Sequence, residues 1–377
     1  MDFTFHTTAQ VVFREGAADD LGALSAPALP RGPILFVTDA TIRGLGLADG
    51  ALASLAQAGY RAVVFDEVTP DPPAPMIERA AAMAREEGAV GVVGFGGGSA
   101  MDTAKLAAYL ARSDQALDDI YGVGQCTGAR LPLVCVPTTG GTGSEVTPIS
   151  VVTKSADEKM GVSSPQLMPD LAVLDPLLSV TLPADHTAAT GVDAMVHAIE
   201  AYTTALKKNP VSDALALDAL RLLSAHIRRA VAAPEDRAAR GGMLLGSMLA
   251  GKAFANAPCA AVHALAYPLG ARFHLPHGLS NALLLPAVLR FNRGAVGEAY
   301  ARLGDVIFGE ADAGALIAGF ERLGPDLGLP ARLSEAGIGE ADLAVMARDA
   351  MAQTRLLQNN PRAVSEADAL AIYRDAF

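Results

Sequence analysis

Hydrophobic and polar positions follow two different patterns along this chain. In the first half, short apolar runs typical of buried strands alternate with Ala-rich stretches that have helical spacing. The predicted strands are residues 33–39, 61–68, 89–96, 131–137 and 170–176. Continuous apolar strands that alternate with helices indicate a parallel sheet covered by helices on both faces.

Beyond residues 181–185 the spacing of apolar positions becomes helical almost throughout. We expect Asp185 to cap the first of these helices and Pro210 to open the next one. The sequence therefore predicts an α/β domain over residues 1–184, followed by an all-helical domain over residues 185–377.

Composition and charge favour a globular protein and argue against nucleic-acid-binding, membrane and secreted proteins. A chain of 377 residues with 51% hydrophobic and 19% charged positions is long and apolar enough for two folded domains. The formal net charge of −12 disfavours binding to nucleic acid or to an anionic membrane surface. No apolar run is long enough for a bilayer, and the first residues lack a signal-peptide pattern. Three cysteines do not make a disulfide framework, so we expect a cytoplasmic protein.

A glycine-rich turn follows the third predicted strand, in GFGGGSAMDTAK. Gly96, Gly97 and Gly98 place no side chain in the path of a ligand, and a helix is predicted to begin near Ser99. The N-terminus of a helix offers free N–H groups and partial positive charge to a pyrophosphate. The motif does not match G-x-G-x-x-G, so a purely structural strand-to-helix turn stays open as an alternative.

Two further features lie where predicted strands end, the edge at which open α/β sheets bind ligands. The loop TTGGTGSEVT offers the hydroxyls of Thr138, Thr139 and Thr142. Asp39 ends the first strand, where a carboxylate accepts from ribose hydroxyls and repels a 2′-phosphate. That pattern favours NAD(H) over NADP(H), although a helix N-cap explains Asp39 equally well.

A possible metal site lies in the predicted helical half. Asp193 and His197 are four residues apart and share one face of a helix, and His263 and His277 add two imidazoles. This set of nitrogen and oxygen donors suits a first-row divalent ion without choosing between iron and zinc. It lacks thiolates, which disfavours a closed structural zinc site. Spacing alone does not prove that the four side chains converge.

Together these motifs resemble the iron-containing, or group III, alcohol dehydrogenase family over essentially the whole chain. The resemblance lies in GGGSAMDTAK, PTTGGTGSE, LPADHTAATGVDAMVHAIEAY, the segment from His263 to His277 that continues into PHGLSNA, and NNPR. It implies a dinucleotide-binding α/β domain and an all-helical domain in a dehydroquinate synthase-like architecture, with the active site between them. It also implies a homodimer, often formed through an N-terminal strand.

The resemblance assigns roles to individual residues. The implied iron ligands are Asp193, His197, His263 and His277. The implied NAD(H) contacts are Asp39, Gly96, Gly97, Gly98, Ser99, Asp102, Thr138, Thr139, Thr142 and Lys159, the last against the cofactor ribose.

The chain departs from the family pattern at two positions. Many members have a histidine, often proposed as a proton relay, where this chain has Tyr267. His274 is then the titratable candidate for that role, with Tyr267 as a possible hydrogen-bond donor. Asp71 stands where the family commonly has Asn, which puts that cofactor contact in doubt.

The function expected from these features is hydride transfer between NAD(H) and a small primary alcohol or aldehyde, assisted by Fe²⁺ or, alternatively, Zn²⁺. A lyase of the dehydroquinate synthase type is a second reading, because such enzymes also join NAD and a metal. A nucleotide-binding protein without turnover is a third. Net accumulation of NADH with an alcohol separates the first reading from the other two.

Overall fold

The structure is a computed structural model and describes residues 2–155 and 158–377. These residues form two compact units. The α/β unit comprises His6–Thr139 and Gly143–Val180. The helical unit comprises Thr181–Phe377, together with the short stretch Gly140–Thr142 and the N-terminal residues up to Phe5. The predicted boundary between residues 184 and 185 stays a prediction.

The α/β unit is built on a parallel sheet, as predicted. In the described residues its strands are β1 Gln10–Phe13, β2 Pro33–Val37, β3 Arg61–Phe65, β4 Gly91–Gly96, β5 Gly122–Val123, β6 Leu133–Pro137, β7 Ile149–Ser155, β8 Glu158–Ser163 and β9 Leu171–Leu174. Its helices are α1 Leu21–Ser25, α2 Ala40–Gly44, α3 Asp49–Gln57, α4 Ala74–Glu86 and α5 Gly98–Leu110. Six of these strands form the main sheet in the order β1-β9-β6-β4-β2-β3, every neighbouring pair parallel.

Alternate residues of the central strands enter two separate apolar cores. In β2, Leu35 and Val37 belong to one core, whereas Ile34 and Phe36 belong to the other. All four side chains are fully buried. A strand buried on both faces needs a continuous apolar run, which explains why the sequence pattern identified this sheet.

A small second sheet was not predicted. β7 and β8 form an antiparallel hairpin, and β5 pairs with β8 in parallel. The hairpin carries polar residues at many positions, including Lys159, so it lacks the apolar run that marked the main strands.

The helical unit confirms the prediction, made from the spacing of apolar positions, that the second half of the chain is helical. Its helices in the described residues are α6 Ala184–Thr203, α7 Pro210–Ala232, α8 Arg237–Asn256, α9 Ala261–Phe273, α10 His277–Phe308, α11 Ala313–Asp326, α12 Leu343–Ala350, α13 Thr354–Leu357 and α14 Glu366–Ala376. None of the helices within the described ranges is long and apolar enough to cross a membrane.

One predicted helix start is right and the other is wrong. Pro210 begins α7 as expected, and its fixed backbone angle suits the first helical position. Asp185 does not cap α6, because the helix begins one residue earlier and Pro183 occupies the cap position. Asp185 lies in the first turn instead, where a negative charge still favours the helix.

Candidate active site

Four side chains of the helical unit come together as the sequence suggested. One ligand atom each from Asp193, His197, His263 and His277 lies within 4.8 Å of the others. We call this group the His–Asp cluster. Asp193 Oδ1 lies 3.9 Å from His263 Nε2 and 3.7 Å from His277 Nε2. The rings of His197 and His263 are 4.5 Å apart between centroids.

Three helices supply the cluster. α6 provides Asp193 and His197 from one face, α9 provides His263, and His277 is the first residue of α10. The start of α10 comes very close to α6 at Gly278, where an added Cβ would lie 2.4 Å from the carbonyl oxygen of Ala189. Glycine at this position therefore lets His277 approach the α6 side chains.

The negative charge of the cluster resides on Asp193. Burial disfavours the ionised carboxylate, but the three neighbouring imidazoles and Asn281 lower the pKa of Asp193 below its ordinary value. Asn281 Nδ2 donates to Asp193 Oδ1 at 2.6 Å and lies 3.2 Å from His277 Nε2. Asp193 is therefore an ionised, oriented oxygen donor at neutral pH.

His197 is a neutral imidazole in this environment. Burial lowers the pKa of His197 to about 3, although the Asp193 carboxylate acts in the opposite direction. Phe254 stacks on the His197 ring with 4.3 Å between centroids and shields it from water. A neutral imidazole is the form that binds a metal ion.

The chemistry of the cluster suits a bound divalent cation. His263 Nε2 is buried, lies 3.9 Å from Asp193 Oδ1 and has no hydrogen-bond partner among the described residues. An unpaired buried nitrogen is costly, and a cation bound beside Asp193 would satisfy it. Three imidazoles and one carboxylate also form a donor set that Fe²⁺ and Zn²⁺ both accept.

The two residues predicted for proton transfer lie on α9 and at its end. Tyr267 is one turn after His263 and is half-buried. His274 is exposed and ends α9 with a left-handed backbone, φ 54°. Their roles in proton transfer stay predictions.

In the α/β unit, the glycine-rich turn joins β4 to α5. Gly96 has φ +149°, and an added Cβ would lie 2.9 Å from the Ala100 side chain, so this position requires glycine. α5 begins at Gly98, one residue before the predicted start, with Gly97 as its N-cap. Gly97 and Ser99 stay partly exposed. Gly97 provides no side-chain cap for α5, and a helix N-terminus without such a cap can accept a pyrophosphate.

The threonine-rich loop follows β6, the strand next to β4. Gly96 is paired with Pro137 in the sheet, and Thr138 N donates to Gly96 O at 3.0 Å. Thr139 lies beside Gly97, with its Oγ1 3.7 Å from the position of an added Cβ. Thr142 is partly exposed and belongs to the stretch that groups with the helical unit.

The carboxylate of Asp102 makes hydrogen bonds and an ion pair with other residues of the protein. Its carboxylate accepts from Ser144 Oγ at 2.6 Å and from Val151 N at 2.9 Å, and lies 3.5 Å from Lys105 Nζ. Lys105 is fully buried and donates to Ser144 Oγ, Thr147 Oγ1 and Ile149 O. These bonds tie α5 to the threonine-rich loop and to β7, so they hold the loop in place.

The other acidic and basic residues of the predicted cofactor site also have partners. Asp39 caps α2, since its Oδ1 accepts from Ile42 N at 2.9 Å. Lys159 Nζ lies 2.7 Å from Asp71 Oδ1. Asp71 has a left-handed backbone with φ 54°. The departure at position 71 thus places a carboxylate against the lysine that was expected at the ribose.

Two residues of this site were missed by sequence reasoning, Asn281 and Glu200. Asn281 follows His277 by four residues, and Glu200 follows Asp193 by seven, so helical spacing puts each on the same face as a cluster residue. Glu200 Oε2 lies 2.6 Å from His263 Nδ1. The spacing of Asn281 from His277 and of Glu200 from Asp193 is therefore a sequence signal that could have identified both residues.

Comparison with known proteins agrees with this geometry. The family model described as "Iron-containing alcohol dehydrogenase" matches residues 8–176, and "Fe-containing alcohol dehydrogenase family, C-terminal" matches residues 187–377. The chain belongs to the iron-containing alcohol dehydrogenase family. It is therefore an oxidoreductase of alcohols or aldehydes, as predicted from the motifs.

Individual relatives cover nearly the whole chain. It is 43% identical to long-chain-alcohol dehydrogenase 1 of Geobacillus thermodenitrificans, over 91% of this chain and 89% of that protein. The crystal structure of 1,3-propanediol oxidoreductase matches at a TM-score of 0.95 and 36% identity, with 100% of both chains covered. Sulfoacetaldehyde reductase from Bifidobacterium kashiwanohense, solved in complex with NAD⁺, matches at a TM-score of 0.89 and 28% identity, over 100% of this chain and 99% of that one.

Proposed function

We propose that the His–Asp cluster binds a divalent metal ion, with Fe²⁺ preferred to Zn²⁺, and that the enzyme transfers a hydride between NAD(H) and a small primary alcohol or aldehyde. The observation that supports this most directly is the buried nitrogen His263 Nε2, which lies 3.9 Å from the ionised Asp193 and has no hydrogen-bond partner among the described residues. A metal bound there supplies Lewis-acid chemistry at the substrate oxygen.

The residues of the cluster set the charge of this site. A dication held by one carboxylate and three imidazoles would keep a net positive charge, which would favour negative charge on a nearby substrate oxygen. Asn281 fixes the direction of the Asp193 carboxylate, and Phe254 keeps water from the His197 ring. Both effects keep the ligands preorganised, so little reorganisation is needed when charge develops.

The test is the substitution His277→Ala, with His186→Ala as its control. His277 is the most exposed member of the cluster and His186 is an exposed residue on α6, so neither change opens a cavity in the core. After anaerobic reconstitution with Fe²⁺ or Zn²⁺, we expect His277→Ala to lose retained metal and NADH formation with a panel of primary alcohols. His186→Ala should keep both. Wild-type turnover by metal-free His277→Ala would refute the proposal.

We also propose that Asp39 makes the enzyme prefer NAD(H). Asp39→Asn keeps an oxygen that can cap α2 and removes only the negative charge. The ratio of kcat/KM with NADP⁺ to that with NAD⁺ should rise roughly tenfold or more, because a like charge no longer opposes the 2′-phosphate. Asp114→Asn, at an exposed aspartate after α5, serves as the control. An unchanged ratio would mean that Asp39 acts only as a helix cap.

A homodimer and a cytoplasmic location stay predictions. β1 is an edge strand of the main sheet, and Phe13 at its end is 43% exposed. An edge strand presents unpaired backbone groups to another chain, which supports association through this segment. Sedimentation velocity measures the mass in solution directly.

A further inference from the structure

Glu200 is a buried carboxylate that the proposed reaction does not use directly. It lies on α6, two turns after Asp193, and is only 4% exposed. Its Oε2 lies 2.6 Å from His263 Nδ1 and accepts from Ala260 N at 2.8 Å. Its Oε1 accepts from Val262 N at 2.6 Å. Glu200 thus binds the N–H of Ala260, which precedes α9, the N–H of Val262 in its first turn, and the imidazole that α9 carries.

These contacts fix the protonation pattern of the His263 ring. Both oxygens of Glu200 already accept from backbone N–H groups, so the 2.6 Å contact is best described as His263 Nδ1–H donating to Glu200 Oε2. Nε2 then has a free lone pair, and it is this buried atom that lies 3.9 Å from Asp193 Oδ1. A carboxylate behind a ligating histidine also makes the imidazole a stronger donor.

We propose that Glu200 is a positioning residue of the metal site: it holds α9 and the His263 ring so that Nε2 faces Asp193 and His277. This inference rests on the proposed metal site. It adds one requirement, that the affinity for the metal depends on a residue that does not touch it.

A different reading of the same atoms is a second metal site. Glu200, Cys259 and His263 also offer ligand atoms within 4.8 Å of one another. The 2.6 Å between His263 Nδ1 and Glu200 Oε2 is a hydrogen-bond distance. Two ligands with metal bonds of about 2.1 Å would be roughly 3 Å or more apart in a tetrahedral site. Both oxygens of Glu200 also already accept from backbone N–H groups. The geometry therefore favours an orienting carboxylate.

The experiment compares Glu200→Gln with wild-type protein in the metal-free and reconstituted forms. Glutamine keeps the size but offers one acceptor oxygen, so it cannot satisfy all three donors. We expect its affinity for Co²⁺ and Zn²⁺, measured against a chromophoric chelator, to be 10- to 100-fold weaker. The visible absorption of the Co²⁺ form should change, and the rise in Tm on adding metal should shrink.

Three further variants separate the possible outcomes. Glu200→Asp keeps the charge and should bind metal more tightly than Glu200→Gln. Thr203→Val removes a hydroxyl that donates to Ile199 O within α6, and it should leave the affinity unchanged. Cys259→Ala should leave the metal stoichiometry unchanged, whereas loss of a second equivalent would favour the two-metal reading and overturn the inference.

The outcomes also separate this inference from the proposed function. If Glu200→Gln lowers the Tm of the metal-free protein but binds Co²⁺ with wild-type affinity, Glu200 is only a structural residue and the inference is wrong. The proposed metal site survives that result. If wild-type protein retains no metal at all, the proposed function fails and this inference fails with it.

Discussion

Glu145, in the threonine-rich loop, is a carboxyl group buried inside the α/β unit. It is 1% exposed, and its Oε1 has no hydrogen-bond partner among the described residues. Burial raises the pKa of Glu145 from an ordinary value of 4.5 to about 7, although Lys105 acts in the opposite direction. The folded protein therefore holds a proton on Glu145 at pH values where the unfolded chain has lost it.

This shift predicts a pH dependence of stability. Between pH 4.5 and about 7 the folded state binds more protons than the unfolded state, so the free energy of unfolding falls as the pH rises through that range. The loss is complete above pH 7 and amounts to roughly 3 kcal/mol. Glu145→Gln should remove this contribution, which urea denaturation at several pH values measures. Glu78→Gln, at an exposed site on α4, should follow the wild-type curve. Parallel curves for Glu145→Gln and wild type would contradict the expectation.

At the scale of residues, the sequence predicts which side chains of one helix lie together better than it predicts how side chains of several helices converge. Asp193 and His197 share a face of α6 because of their spacing, and Glu200 continues that face. The convergence of His263 and His277 depends on how α10 packs against both α6 and α9. Packing of this kind leaves no periodic signal in the sequence, so the resemblance to a family had to supply it.

Asn359, in the NNPR motif, links the segments that flank the active-site helices. Its Nδ2 donates to Cys259 O at 2.8 Å, just before α9, and its carbonyl accepts from Ala205 N at 2.7 Å, just after α6. Asn359 is 3% exposed. These contacts show what the NNPR motif does in the structure: Asn359 holds together the end of α6 and the start of α9.

Asn359→Ala should destabilise the protein. The substitution leaves the Cys259 carbonyl without its side-chain donor, and an unsatisfied buried acceptor costs about 1–3 kcal/mol. Gln358→Ala is a matched control, because Gln358 is exposed and its side chain, like that of Asn359, donates to Arg355 O. Chemical denaturation should show a change within about 0.5 kcal/mol for that control. Equal effects of the two substitutions would mean that the link to Cys259 contributes nothing.

At the scale of elements, prediction worked where one physical requirement dominated. The buried parallel strands needed continuous apolar runs, and their predicted positions differ from the observed ones by a few residues at the ends. The β7–β8 hairpin was missed because its buried apolar residues, such as Val152 and Val162, are separated by polar ones and form no long apolar run. The cap of α6 was predicted wrongly because helix starts depend on a choice between adjacent residues that are nearly equivalent.

At the scale of the whole molecule, the change from alternating strands to helical spacing correctly indicated an α/β part and a helical part. The two units are not divided at a single point along the chain, however. The stretch Gly140–Thr142 lies within the first half of the sequence but groups with the helical unit. Its place depends on contacts such as those of Gly141, where an added Cβ would lie 2.7 Å from Thr190 Cβ on α6. No local pattern in the sequence predicts that contact.

The tight approach of α10 to α6 at Gly278 limits how this enzyme can be redesigned. Any larger amino acid there would push against the main chain of Ala189 and move His277 outward. Attempts to widen access for bulkier alcohols should therefore vary other positions and leave this glycine untouched. Because His277 directly precedes this crowded position, we expect a substitution at 278 to weaken metal binding by the His–Asp cluster.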